Sequence, residues 1–217
     1  MAKNKPVYAF EEADSKKRML LGGKGAGLSE MTRLKLPVPP GFTITTEVCN
    51  KYYDNNGKLP KDVMPAVMKN ITKMEKKTGK KWNSIKNPLL VSVRSGAAIS
   101  MPGMMDTILN LGLNEKTVEG FAEQTKNPRF SWDSYRRFIQ LFGKVVFGVN
   151  DEKFDHVLDS AKEKQGVTDD SKLNVESLKK IVTEYKKICE EHTKRKFPDT
   201  PDEQLVLSIE AVFKSWM

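Results

Sequence analysis

Strand-forming sequence stops at Asn114, and that break constrains the fold more than any other feature. Before it, short apolar runs at Val7–Phe10, Phe42–Thr45, Leu89–Val93 and Thr107–Leu111 stand between turns rich in glycine and proline. After it, apolar residues recur only at helix spacing. They run through Tyr135, Phe138, Ile139 and Phe142, then Phe154, Val157 and Leu158, then Leu178, Ile181, Val182 and Tyr185. Two helices are also expected earlier, one ending at Leu34 and one carrying the stripe Val63, Val67, Ile71 and Met74. The pattern predicts an α+β protein in three parts. Residues 1–113 form a lobe with a small mixed sheet and helices, and residues 114–197 an inserted all-helical subdomain. Residues 198–217 form a helix that returns to pack on the first lobe. Phe197-Pro198-Asp199-Thr200-Pro201 separates the last two parts, because its prolines forbid a continuous helix.

At 217 residues there is room for one large domain or two small ones. Apolar runs are far too short to cross a membrane, and the segment after Met1-Ala2-Lys3-Asn4 has no secretory character. Cys49 and Cys189 lack metal-site spacing and read as reduced, unpaired and partly buried, in keeping with a cytoplasmic protein. The net charge of +9 raises the question of nucleic acid. However, the lysines are spread over helix faces and mixed with acids, as at Lys76-Lys77 and Lys186-Lys187, and no nucleic-acid motif accompanies them. Neither a nucleic-acid nor a membrane partner is expected.

Two segments carry chemistry. In Leu89–Gly112, an apolar strand delivers Arg94 into Ser95, Gly96 and further small residues. Met101-Pro102-Gly103-Met104-Met105-Asp106 and a second strand starting at Thr107 follow. Small residues let backbone N–H groups approach an anion, and a guanidinium offers a planar fork of donors that matches phosphate oxygens. Far upstream, Leu20-Leu21-Gly22-Gly23-Lys24-Gly25 reads as a glycine turn feeding a helix, which would present free N–H groups and a lysine to an anion. It is neither a Walker loop nor GxGxxG, and on local sequence alone it reads as a flexible turn with a solvated lysine.

Taken together these segments resemble the pyruvate phosphate dikinase family. The resemblance extends to Pro39-Pro40-Gly41-Phe42-Thr43 and to Asn127-Pro128-Arg129-Phe130 with Asp133-Ser134-Tyr135-Arg136-Arg137-Phe138. The block Met101–Asp106 favours the dikinases over the related phosphoenolpyruvate synthases, which remain the alternative along with another ATP-grasp phosphotransferase lobe or a stand-alone nucleotide-binding module. The resemblance implies the N-terminal lobe of an ATP-grasp fold, with ATP and Mg2+ as cofactors. The implied reaction takes ATP, phosphate and pyruvate to AMP, pyrophosphate and phosphoenolpyruvate by way of a phosphohistidine on a separate domain. It places Lys24 and Arg94 on the triphosphate, with Gly22, Gly23, Gly25, Ser95, Met104, Asp106 and Thr107 around the nucleotide.

The same resemblance implies that the metal-binding carboxylates, the second wall of the cleft and the phosphohistidine lie outside these residues. The chain therefore reads as the N-terminal piece of a longer enzyme, inactive alone, with no catalytic or metal-ligating residue of its own. Its partners would be ATP and the remaining domains of the parent, for which a homodimer is left open. His156 and His192 sit in charged helical contexts and receive no role. Arg136 and Arg137 read as a surface pair of which at least one faces solvent. A docking or phosphate role for them and Arg129 stays open.

Overall fold

The computed structural model describes residues 4–96 and 107–216. The chain forms two compact units. One comprises Met1–Lys80, Arg94–Met105 and Val212–Met217, and the other Lys81–Val93 and Asp106–Ala211. The hairpin that follows Lys80 thus clusters with the helices, and this differs from a partition at residues 113 and 197. Its strands are short, and Ile108 and Leu111 of the second strand, with Leu89 just before the first, are buried with the helical core.

In the first unit, β1 (Val7–Ala9) pairs antiparallel with β2 (Phe42–Ile44), with Val7 opposite Ile44 and Ala9 opposite Phe42. Between them runs α1 (Arg18–Arg33), and α2 (Thr46–Asp54) and α3 (Val63–Thr78) follow. Val7, Ala9, Leu21, Val48, Tyr52, Val63, Val67 and Ile71 form the core. The helix ends are written in the sequence: α3 stops at Gly79, whose φ of 69° is the left-handed conformation that glycine adopts without a Cβ penalty.

In the second unit, β3 (Val91–Val93) pairs antiparallel with β4 (Ile108–Leu111), with a register irregularity between Val91 and Val93. Four helices follow: α4 (Glu115–Thr125), α5 (Pro128–Phe147), α6 (Asp151–Gln165) and α7 (Val175–Thr193). Each begins on an asparagine (Asn114, Asn127, Asn150 or Asn174) whose side chain accepts from first-turn N–H groups. The buried rings of α5 stack along its inner face, and Phe197 of the linker sits 5.4 Å from Phe142 and 6.2 Å from Phe138. The linker is therefore anchored in the helical core. Gly143 lets α5 approach its neighbours, since a Cβ there would meet Phe154 at 2.6 Å and Cys189 at 2.8 Å.

The expected mixed sheet is replaced, among the described residues, by two separate two-stranded antiparallel sheets. β1 packs on α3, β2 on α1 and β4 on α5, and neither pair gains a parallel neighbour among the described residues. The last helix, α8 (Pro201–Lys214), belongs to the second unit through Ala211 and to the first from Val212. In the second unit its buried Gln204 donates to the carbonyls of Leu113 and Pro198 and accepts from the Gly112 amide, all at 3.0 Å. In the first unit the Tyr53 hydroxyl donates to the Phe213 carbonyl. Cys49 and Cys189 are free and buried, as expected. Burial raises their thiols to about 11 and about 12 respectively, so both are neutral near physiological pH. No helix among the described residues is long and apolar enough to cross a membrane.

Candidate nucleotide-binding site

The glycine segment is not an open loop. Arg18–Leu21 form one helical turn, Gly22 breaks it at φ 70° and ψ 167°, and the helix resumes from Gly23 to Arg33. That backbone conformation is essentially reserved for glycine. Gly23, Lys24 and Gly25 are therefore helical. Glycines disfavour a helix, but tertiary packing holds this one. Leu20, Leu21 and Ala26 are buried, and the Ser29 hydroxyl donates to the Gly25 carbonyl at 2.9 Å. Gly25 faces β2, where a Cβ would lie 2.7 Å from Thr43 Oγ1. The structure gives this glycine a packing role.

Gly22 faces the exit of the Arg94 strand. A Cβ on Gly22 would fall 1.6 Å from the carbonyl oxygen of Gly96, and one on Gly96 would lie 3.8 Å from Lys24 Cβ. The two segments read separately in the sequence therefore meet, backbone against backbone, within the first unit. Lys24 and Arg94 are both exposed. Among the described residues neither side chain forms an ion pair or a hydrogen bond. Two cations without counter-charges among the described residues, beside a close backbone junction, can neutralise a polyanion. Ser95 is different: it is 1% exposed, and its Oγ accepts from Trp216 Nε1 at 3.1 Å. Its hydroxyl is engaged by the protein.

Thr107 sits just before β4, in the second unit. Met104 and Asp106 lie outside the described residues, as does the rest of the small-residue and methionine segment from 97 to 106. Among the described residues no three His, Cys, Asp or Glu side chains come together to hold a metal ion.

The chain matches the model of the pyruvate phosphate dikinase, AMP/ATP-binding domain, family over residues 18–64 and 55–217. It belongs to that family. It is 54% identical over 211 residues to a pyruvate, phosphate dikinase of Entamoeba histolytica. It is 51% identical over 217 residues to one of Giardia intestinalis and 48% identical over 211 residues to one of Clostridium symbiosum. Each alignment takes in 97% of this chain, and the chain spans 24% of the length of each relative.

The dikinase family's arginine-rich helix is resolved as structure. Arg129 donates to the carbonyls of Leu173 at 3.1 Å and Asp170 at 2.7 Å, stapling the α6–α7 connection onto α5. Arg136 is 3% exposed, in contrast to the expected surface pair, and its Nε and Nη2 donate to Asp133 Oδ1 at 3.1 and 2.7 Å. Arg137 is the solvent-facing member and lies 3.2 Å from Asp133 Oδ2. The arginine pair was read as superficial because neighbouring positions diverge on a helix. Its buried carboxylate partner, three residues earlier, was the missed signal.

Sequence reasoning also missed a hollow beside α1, lined by Asp14, Ser15, Lys16, Arg18, Gly23 and Glu30 among others; neither Lys24 nor Arg94 borders it. Glu30 there accepts from Ser15 and Arg33. Trp216 is a further residue that the sequence reading did not single out, and its indole reaches Ser95. An indole carries one polar N–H, and that was the available cue.

Proposed function

We propose that this chain supplies one wall of the ATP site of a pyruvate phosphate dikinase, with Lys24 and Arg94 gripping the triphosphate. The observation that carries this reading is the Gly22–Gly96 junction, which sets the helical segment bearing Lys24 beside the strand exit bearing Arg94. The parent would convert ATP, phosphate and pyruvate to AMP, pyrophosphate and phosphoenolpyruvate. In phosphoryl transfer the protein mainly positions the phosphates and neutralises charge on their oxygens. Arg94 suits that task through its two-donor fork and Lys24 through a compact charge on a mobile stem.

The described residues offer no cage for Mg2+, so no step is assigned to it here. The ATP-grasp architecture, the phosphohistidine carrier and a homodimeric parent belong to this reading, as does a cytoplasmic location. Gly23 is assigned as lining of the nucleotide site, with Gly22 closing the junction beside it.

ATP titration followed by amide NMR tests the reading. One wall leaves much of the ligand wet, so binding is expected to be millimolar or weaker, roughly 4 kcal/mol or less. Shifts should concentrate at Gly22–Lys24 and Arg94–Gly96, and Lys24→Ala and Arg94→Lys should each weaken them. Purified chain should show no AMP formation that depends on pyruvate and phosphate. In a full-length dikinase the same substitutions should slow the ATP half-reaction and spare exchange between pyruvate and phosphoenolpyruvate. Equal damage to both half-reactions in folded protein would refute the phosphate role of these two residues.

A further inference from the structure

We infer that Trp216 is a positioning residue for Arg94, acting through Ser95. This rests on the proposed nucleotide role of Arg94 and goes beyond it by bringing in a residue distant in sequence. The last turn of α8 is fixed on the first unit. Phe213 lies with its ring centroid 5.4 Å from that of Tyr52, and its carbonyl accepts from the Tyr53 hydroxyl. The chain then turns, with the Ser215 amide donating to the Val212 carbonyl at 3.2 Å and the Trp216 amide to the Phe213 carbonyl at 3.1 Å. This brings the indole to Ser95, where Nε1 donates to Oγ at 3.1 Å.

Ser95 is the residue between the exposed guanidinium and the junction glycine. Its burial and its bond to the indole immobilise the peptide units on either side. On one side, Gly96 is pressed against Gly22. On the other, Arg94 leaves the strand with no protein partner among the described residues, so nothing but its backbone anchor sets where its side chain starts. A long cation reaching for phosphate loses less freedom when that anchor is rigid. Trp216 thus acts at one remove: it touches no ligand, and it fixes the root of the residue that does.

Trp216→Phe removes the donor and keeps the ring. Ser95→Ala removes the acceptor. Two measurements on the whole chain test the inference. The first needs no nucleotide: amide hydrogen exchange at Ser95 and Gly96 should quicken in Trp216→Phe, while exchange in the β1–β2 pair stays the same. The second is ATP affinity by NMR titration in three backgrounds. Trp216→Phe should raise the Kd about threefold to tenfold in wild type, the range for losing one hydrogen bond. It should do the same in Lys24→Ala and have no further effect in Arg94→Ala. Equal losses in all three backgrounds would mean that Trp216 merely supports the lobe, and the inference would fall. Unchanged exchange at Ser95 would overturn it as well. If Lys24→Ala and Arg94→Ala both leave ATP binding untouched, the proposed function falls instead, and quickened exchange would leave Trp216 as a structural clamp only.

Discussion

Gly22 and Gly96 touch so closely that a single methyl group on Gly22 would sit 1.6 Å from the Gly96 carbonyl oxygen. The contact joins two segments more than seventy positions apart, and it requires glycine twice over. The space is closed, and the φ of 70° with ψ of 167° is a conformation that side chains avoid.

Gly22→Ala is therefore expected to destabilise the chain by about 2 kcal/mol or more, the backbone strain alone accounting for roughly 1–3 kcal/mol. It should also displace Gly96 and weaken ATP binding. Gly27 supplies the contrast, since it is helical and a Cβ there would meet nothing within 4 Å. Gly27→Ala should stabilise by about 0.5–1 kcal/mol. Urea denaturation of both variants checks the pair. A Gly22→Ala protein as stable as wild type would show that the junction is looser than described.

Most of the helical part was legible. Asn114, Asn127, Asn150 and Asn174 announce helix starts, Gly79, Gly148 and Gly166 announce stops, and the apolar period between them is strong. The four strands were legible too, but their pairing was not. Three-residue strands carry too little pattern to specify neighbours, so two antiparallel pairs were read as one mixed sheet. Glycine adds nothing to hydrophobic periodicity, and Gly23-Lys24-Gly25 consequently looked like loop when it is helix. The meeting of Gly22 with Gly96, and of Trp216 with Ser95, depends on long-range packing that no local window contains.

Acid should erode the first unit through identifiable carboxylates. The Arg33 guanidinium, with the Ser15 hydroxyl, holds Glu30 at about 2 against an ordinary 4.5. Glu12 is lowered chiefly by its bond to Lys73. A carboxylate lowered in the folded state contributes stability that is complete above its unfolded pKa and is lost as pH falls through the folded value. The melting temperature should thus be flat from about pH 7 to about pH 5 and fall below that. The fall should be modest, because these pairs are exposed and screened by salt. Glu30→Gln should flatten part of the acid slope. An acid slope identical to wild type in Glu30→Gln would remove Glu30 from the account.

Arg136 should behave as a structural residue. The residue is 3% exposed and its guanidinium is held by three partners: Asp133 Oδ1 takes two donors, Gln140 Oε1 takes Nη1 at 3.1 Å, and Asp170 Oδ2 lies 3.8 Å away. Removing it leaves Asp133 largely buried, with the exposed Arg137 as its one remaining counter-charge among the described residues. Breaking one side of a buried ion pair typically costs about 3–5 kcal/mol. Arg137 should hold the loss for Arg136→Ala to the lower end of that range. The double variant Arg136→Ala/Arg137→Ala should lose more than the two single losses combined, because it strands the carboxylate completely. ATP affinity should remain that of wild type wherever the protein stays folded, since every described partner of Arg136 lies in the helical unit. Denaturant midpoints read beside NMR titrations decide the matter. A folded, fully stable Arg136→Ala protein with weakened ATP binding would return this arginine to the list of phosphate contacts.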